Sequence, residues 1–262
     1  MNKVFLAENL AVLRELPSAS VDLIYVDPPY NTKKVQKRQS TGLKYEDKFD
    51  DYIGFLRPRM EEAFRILKPT GTLYLHLDYR EVHYAKVMMD EIFGRENFIN
   101  EVIWSYDYGG RSKTRWSAKH DNILMYAKDN EKYTFRYEDI DRVPYMAPGL
   151  VGPEKAARGK PVTSSWWHTI VHTNGKEKTG YPTQKPLGII RRIVKVSSNP
   201  GDTVLDFFAG SGTIGAACQE LGRNFILIDS NPEAFEVMKS RLGVQGVEYL
   251  SYLEHKVDEL NL

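Results

Sequence analysis

Thr203-Val204-Leu205-Asp206-Phe207-Phe208-Ala209-Gly210-Ser211-Gly212-Thr213-Ile214-Gly215 reads as a buried strand that runs into a glycine turn and opens a helix. The next strand, Phe225-Ile226-Leu227-Ile228-Asp229, ends in an acid, and a helix over about 231–242 follows. Gly210 to Gly215 satisfies G-x-G-x-x-G, the layout of a nucleotide-binding turn. Its glycines let a ligand press on the backbone, and the strand-end carboxylate of Asp229 accepts hydrogen bonds from ribose hydroxyls. A nicotinamide-dependent oxidoreductase is one reading. The position of the turn argues against it: only residues 230–262 follow Asp229, too few for the remaining strands of a two-halved nucleotide fold. The sheet has to be completed by residues 1–128.

Those residues supply a matching half. Residues 3–6 predict a short strand and 9–16 a helix that stops at Pro17. Val21-Asp22-Leu23-Ile24-Tyr25-Val26 has the length and β-branched content of a buried strand, and Asp27-Pro28-Pro29-Tyr30 ends it abruptly. A carboxylate, a backbone carbonyl and an aromatic ring thus meet at the carboxyl end of a strand, where ligands bind in open α/β sheets. Residues 31–48, with Lys33, Lys34, Lys37, Arg38, Lys44 and Lys48, show no period and predict a mobile basic loop. Helices over Tyr52–Leu67 and Arg80–Phe93 flank a strand at Thr72–Leu77, and 98–104 and 122–128 predict two more strands. The pattern is a doubly wound α/β sheet.

Between 104 and 120 aromatics interleave with Arg111, Lys113, Arg115 and Lys119. This is the candidate phosphate-contacting segment, with a solvated charged loop as the alternative. No regular period persists over 129–180, where Trp166 and Trp167 are expected in a local core and Thr169-Ile170-Val171 favours a strand. From 151 to 185, Lys155, Arg158, Lys160, Lys176, Lys178 and Lys185 face only Glu154 and Glu177. The chain is therefore divided into 1–128, an inserted lobe at 129–180, and 181–262. A helix at Leu187–Val196, a short strand at Val247–Leu250 and a final helix complete the expectation.

Composition narrows the class. With 42% hydrophobic and 27% charged residues, and 36 basic against 35 acidic side chains, the chain is an ordinary globular one whose overall charge predicts no polyanionic partner. The single cysteine, Cys218, excludes an intrachain disulfide and a cysteine metal cluster, and its setting on the helix after the glycine turn reads as core. His168 and His172, four apart on an expected strand, do not converge, so no metal is expected. There is no signal-peptide start and no apolar run of membrane-spanning length, so a cytoplasmic location without membrane contact is expected.

Asp206 ahead of an F-x-G-x-G run suits a ligand with an ammonium group and no pyrophosphate, such as the methionine end of S-adenosylmethionine. Here the chain resembles the β class of bacterial amino-DNA methyltransferases. Ser20–Asn31 resembles that family's catalytic segment, Arg65–Gly71 the helix end that follows it, and Thr183-Gln184-Lys185-Pro186 with Asp206–Thr213 its paired T-Q-K-P and F-x-G-x-G motifs. Two positions depart from the pattern: Tyr181 stands where the family usually has His, and Ala7-Glu8 where it often has Gly-Asp. The resemblance implies a mixed sheet of the S-adenosylmethionine-dependent methyltransferase type, with circularly permuted motif order and an inserted DNA-recognition lobe. It implies catalytic roles for Asp27, Pro28 and Tyr30. It places the cofactor on Glu8, Thr183, Lys185, Asp206, Phe208, Gly210, Ser211, Gly212, Thr213 and Asp229, and the partner is double-stranded DNA. A homodimer and a cognate restriction endonuclease fit the family. The activity it implies is methyl transfer to the N6 amine of adenine in a flipped-out base, with N4 of cytosine as the alternative. Methylation at carbon 5 of cytosine does not fit, since it needs a cysteine nucleophile. A catalytically silent DNA-binding subunit would keep the fold but has no use for an intact Asp27, Tyr30 and glycine turn.

Overall fold

The structure, a computed structural model, describes residues 2–37, 44–172 and 174–252. In chain order the first half contains β1 (Asn2–Leu6), α1 (Asn9–Glu15), β2 (Val21–Val26), β3 (Lys34–Lys37), β4 (Lys44–Asp47), α2 (Tyr52–Ile66), β5 (Leu67–Leu77), α3 (Val82–Phe93), β6 (Phe98–Ser105) and β7 (His120–Ala127). The middle holds β8 (Arg142–Val143), α4 (Pro153–Arg158), β9 (Lys160–Pro161) and β10 (Ser165–Trp167). The last third contains α5 (Leu187–Ser197), β11 (Thr203–Asp206), α6 (Thr213–Leu221), β12 (Asn224–Asp229), α7 (Pro232–Leu242) and β13 (Val247–Ser251).

Among the described residues, nine strands form one mixed sheet in the order β10-β6-β7-β5-β2-β11-β12-β1-β13. Among them β7 alone runs antiparallel to its neighbours. Alternation along the central strands fills two cores. Phe5, Ile24, Val26, Leu73, Leu75, Leu205 and Ile228 face α1, α2 and α3. Val4, Leu23, Tyr25, Tyr74, Val204, Phe225 and Leu227 face α5, α6 and α7. A strand buried on both faces reads as a continuous apolar run, which is why β2, β11 and β12 are legible in the sequence. The doubly wound sheet expected from the sequence is the observed one.

The two halves meet at β2 and β11, which pair in parallel with Leu23 opposite Val204 and Ile24 opposite Leu205. From β11 the chain winds through β12 toward one edge, and from β2 through β5 toward the other. That divergence is a topological switch point, and the cleft of such a sheet opens there, at the carboxyl ends of the strands.

Four local expectations are corrected. Within the stretch 31–48, expected to be an aperiodic loop, Lys34–Lys37 (β3) and Lys44–Asp47 (β4) pair antiparallel, and residues 38–43 of that expectation lie outside the described residues. Val35 and Tyr45 alone among polar neighbours gave no alternation to detect. Thr169–Val171 is not a strand, and the strand of that region is β10, which adds to the main sheet beside β6. Trp166 is buried on it while Trp167 is exposed, so the two tryptophans do not share one core. Finally, β5 begins at Leu67, five residues earlier than expected, because the Pro69-Thr70-Gly71 break is spanned within the strand. The helix anticipated at the end of the chain falls on residues 253–262, outside the described residues.

Candidate active site

A cavity of about 420 Å³ lies at the switch point, within the range of small-molecule and cofactor sites. Its walls come from the ends of β2, β11 and β12, from residues 181–185 ahead of α5, and from Glu8, Phe55 and Arg59. Asp27, Asp206 and Asp229 therefore converge because each ends, or directly follows, one of three neighbouring parallel strands.

Asp27 is held at both oxygens. Tyr30 donates its hydroxyl to Oδ1 at 2.7 Å, and Lys185 donates its ammonium to Oδ2 at 2.5 Å. Lys185 Nζ also lies 5.0 Å from the centroid of the Tyr30 ring. Burial, and the neighbouring Asp27 charge, push the Tyr30 hydroxyl well above its ordinary pKa, so it stays protonated and remains a donor. Beyond the corner the chain turns left-handed at Asn31 (φ 52°), a conformation Asn tolerates better than most residues. Asp47, at the end of β4, fixes that turn. Its Oδ1 accepts from Asn31 N at 2.8 Å, and its Oδ2 from Thr32 N at 3.0 Å and Thr32 Oγ1 at 2.6 Å. Asn31 Nδ2 in turn donates to Glu81 at 2.6 Å.

On the neighbouring strand Asp206 is buried and accepts from Phe208 N at 3.0 Å. Burial pushes its carboxyl well above the ordinary range, and the charges of Asp27 and Asp229 push the same way. Asp229 closes the glycine turn: its Oδ2 accepts from Gly210 N at 2.8 Å and its Oδ1 from Asn231 N at 2.9 Å. Gly212 sits at φ 70°, and a Cβ there would stand 2.8 Å from Met238 Cγ, so no other residue fits without a shift. Ser211 and Thr213 are buried, and Arg241 ties them down by donating to Ser211 O at 3.1 Å and Thr213 Oγ1 at 2.9 Å. Phe208 packs against Phe55, and Thr183 stands at the exposed rim in a left-handed conformation (φ 60°). Glu8 caps α1 through Ala11 N at 2.9 Å and pairs with Arg59 at 2.7 Å, with both residues in the cavity wall.

The cavity is acidic. Its described lining carries Glu8, Asp27, Asp47, Asp206 and Asp229 against Arg59 and Lys185. Arg59 is spent on Glu8 and Asn9, which leaves Lys185 as the cation facing Asp27 and Asp206.

The basic segment lies at the same edge. β6 runs in the same direction as β5, so the connection from β6 to β7 leaves the sheet where Asp27 does. Arg111, Lys113 and Arg115 on it are exposed, Lys119 is half-buried, and Trp116 is 98% exposed. Arg111 pairs with Asp107 at 2.5 Å, and Lys119 donates to the Tyr108 carbonyl. Arg115 and Lys119 also line a second cavity, of about 290 Å³, together with Arg80, Tyr106 and Asp121.

Sequence reasoning missed one polar chain altogether. Tyr25 OH bonds His76 Nδ1 at 2.7 Å, His76 Nε2 bonds Asp121 Oδ2 at 3.2 Å, and Tyr106 OH donates to Asp121 Oδ1 at 3.0 Å. Burial pushes the Asp121 carboxyl up, and the bonds from His76 and Tyr106 more than offset it. The chain joins the wall of the first cavity, at Tyr25, to that of the second, at Tyr106 and Asp121. The His76 ring stands 6.1 Å from that of Tyr30. His76 and Asp121 were legible only as polar residues interrupting apolar strands. Asp47 had no signal beyond being an acid in a basic stretch.

Comparison with known proteins places the chain. The Type II methyltransferase M.HpaI of Haemophilus parainfluenzae is 36% identical over 233 residues, covering 89% of this chain and 71% of that protein. The DNA adenine methyltransferase YhdJ of Escherichia coli K12 is 33% identical over 248 residues, covering 90% of this chain and 80% of that protein. Among solved structures, M1.HpyAVI in complex with SAM superposes with a TM-score of 0.65 at 24% identity, over 93% of this chain and all of that one, a likeness of fold. The family profile described as DNA methylase, of the N6/N4 type, matches residues 21–240, a span that runs from the first residue of β2 through nearly all of α7. With the β2 corner, the β11 turn and the cleft between them all inside that span, the chain belongs to the N6/N4 DNA methylase family.

Proposed function

We propose that the protein transfers a methyl group from S-adenosylmethionine to the N6 amine of adenine in double-stranded DNA. The observation that carries this reading is the β2–β11 pairing, which sets Asp27 beside Asp206 across one acidic cleft. A sulfonium and an ammonium suit that lining, whereas a pyrophosphate would face Asp27, Asp206 and Asp229, so the nicotinamide reading is not favoured. Asp206 and Asp229 are the residues to hold the ammonium and ribose ends, Gly210 and Gly212 let the ligand approach the backbone, and Phe208, Thr183 and Glu8 border it. Ser211 and Thr213 act by fixing the turn. When bound, the cofactor supplies an electrophilic methyl on sulfur.

The protein's own task is the amine. Its lone pair is delocalised into the base, so the nitrogen has to be made more pyramidal as it attacks. Asp27 and the Pro28 carbonyl each accept one N–H, which concentrates electron density along the line of attack. Tyr30 offers a ring on which an extrahelical base stacks, and its hydroxyl holds the Asp27 carboxylate in place. Alignment of nitrogen and methyl carbon supplies the remaining acceleration. Arg111, Lys113, Arg115 and Lys119 are assigned to the DNA backbone, and the 129–180 segment, with Met146 and Leu150 exposed, to target recognition.

Adenine is preferred because a relative sharing a third of its residues is a DNA adenine methyltransferase. Methylation of genomic DNA by the purified protein, read by single-molecule sequencing, tests this directly. N6-methyladenine at a defined sequence is expected. N4-methylcytosine would replace the base assignment, and unmodified DNA from folded, cofactor-binding protein would sink the proposal.

A further inference from the structure

The Lys185–Asp27 pair has an arrangement that a purely cofactor-binding lysine would not need. Its ammonium takes Asp27 Oδ2 at 2.5 Å while Oδ1 is held by Tyr30, and it lies 5.0 Å from the Tyr30 ring centroid. The acceptor and the ring face it occupies are the ones a flipped base requires: a carboxylate oxygen for an N–H and an aromatic face for stacking. We propose that Lys185 is a stand-in for the target amine, filling its place in the DNA-free enzyme and leaving when the base arrives. This rests on the methyltransferase reading and extends it to the order of events in the site.

Electrostatics explain why a stand-in is needed. The Lys185 and Asp27 side chains are only 11% and 17% exposed, and a carboxylate so placed, beside a buried Asp206, is costly without a partner. Arg59 is committed elsewhere, so among the described residues of the cavity lining Lys185 is the cation available to it. An exocyclic amine can take over because it too donates N–H to Asp27. The lysine is also built to leave. Its backbone is anchored, with its carbonyl accepting from Thr213 Oγ1 at 3.3 Å and Pro186 capping α5 directly after it. The four-carbon stem has rotatable bonds through which the ammonium can leave Asp27, and in the cofactor-free protein used below Asp206 is near enough for its carboxyl to feel the Lys185 charge.

The test measures DNA affinity without cofactor, on the duplex that the wild-type protein methylates and on the same duplex with an abasic target position. Removing a positive charge ordinarily weakens DNA binding. Lys185→Met should instead bind the adenine duplex about tenfold tighter than wild type, the scale of one charge-assisted hydrogen bond no longer broken, and bind the abasic duplex no tighter. Lys185→Gln carries the same comparison should the methionine variant not fold. Equal or weaker binding of the adenine duplex, or the same gain on both duplexes, overturns the proposal. So does a loss of S-adenosylmethionine affinity, titrated without DNA, as the sole effect. Failure of the wild type to methylate any DNA would sink the methyltransferase reading itself, and is seen before a variant is made.

Discussion

Asp27 and Asp206 stand on adjacent strand ends yet answer to different demands, and substitution separates them. Asp27→Ala removes the proposed acceptor of the amine and should cut methyl transfer by at least about a hundredfold while leaving S-adenosylmethionine binding within a few-fold. Single-turnover assays beside calorimetric titration check this, and a collapse of cofactor affinity would mean that Asp27 is misassigned. Asp206 is a case of stability yielded to function. Burial raises its folded pKa above the ordinary 3.8, so the native state holds this proton more tightly than the unfolded chain does. Its contribution is therefore fully favourable below about pH 3.8 and is lost, becoming a cost, as the pH rises through the folded pKa. Asp206→Asn keeps an acceptor for Phe208 N and removes the buried charge. At pH 8 the ligand-free variant should melt higher, by roughly 1 kcal/mol of added stability, while binding S-adenosylmethionine about tenfold or more weakly. A variant that melts lower and binds normally would show that Asp206 plays no part in holding the cofactor.

At the level of elements, the Asp27–Tyr30 corner depends on the hairpin that follows it. Asp47 ends β4 and accepts three bonds from Asn31 and Thr32, so the left-handed turn after Tyr30 is fixed from β4. Asp47→Ala should lower kcat about ten- to a hundredfold, with cofactor affinity unchanged, because the corner loosens while the β11 turn is untouched. An unaltered kcat would show that the turn holds without it. The same element marks the limit of what the sequence discloses. β2, β11 and β12 are legible because strands buried on both faces are unbroken apolar runs, and the glycine turn because its conformation admits few residues. The hairpin and β10 are not: β3 and β4 each hold a single apolar residue among polar ones, and β10 is three residues long and fixed by β6, which is distant in sequence. The Tyr25–His76–Asp121–Tyr106 chain was hidden for the same reason, since three strands and a loop have to assemble before its members meet.

Across the whole molecule the near-neutral total of 36 basic and 35 acidic residues conceals a separation of charge. Acids line the cleft between β2 and β11, which suits a cationic methyl donor. Arg111, Lys113 and Arg115 stand exposed on the β6–β7 connection at the same edge, which suits phosphates. An acidic cleft alone would repel DNA, so the proposed affinity for the duplex calls for basic residues outside the cleft, and this rim is the proposed source. Counterion release then gives a quantitative expectation, because each phosphate neutralised contributes about 0.9 to the slope of log K against log salt. Replacing Lys113 and Arg115 together by alanine should reduce the slope by about 1.8 and weaken target and non-target duplexes alike, while cofactor affinity stays put. Arg111 is a weaker contributor, because Asp107 already holds its guanidinium and a phosphate would have to compete for it. Binding isotherms over a salt series decide the matter. A slope unchanged in the double variant would return the segment to a solvated loop and move the search for the DNA backbone contact to Lys155, Arg158, Lys160, Lys176 and Lys178 of the 151–185 stretch.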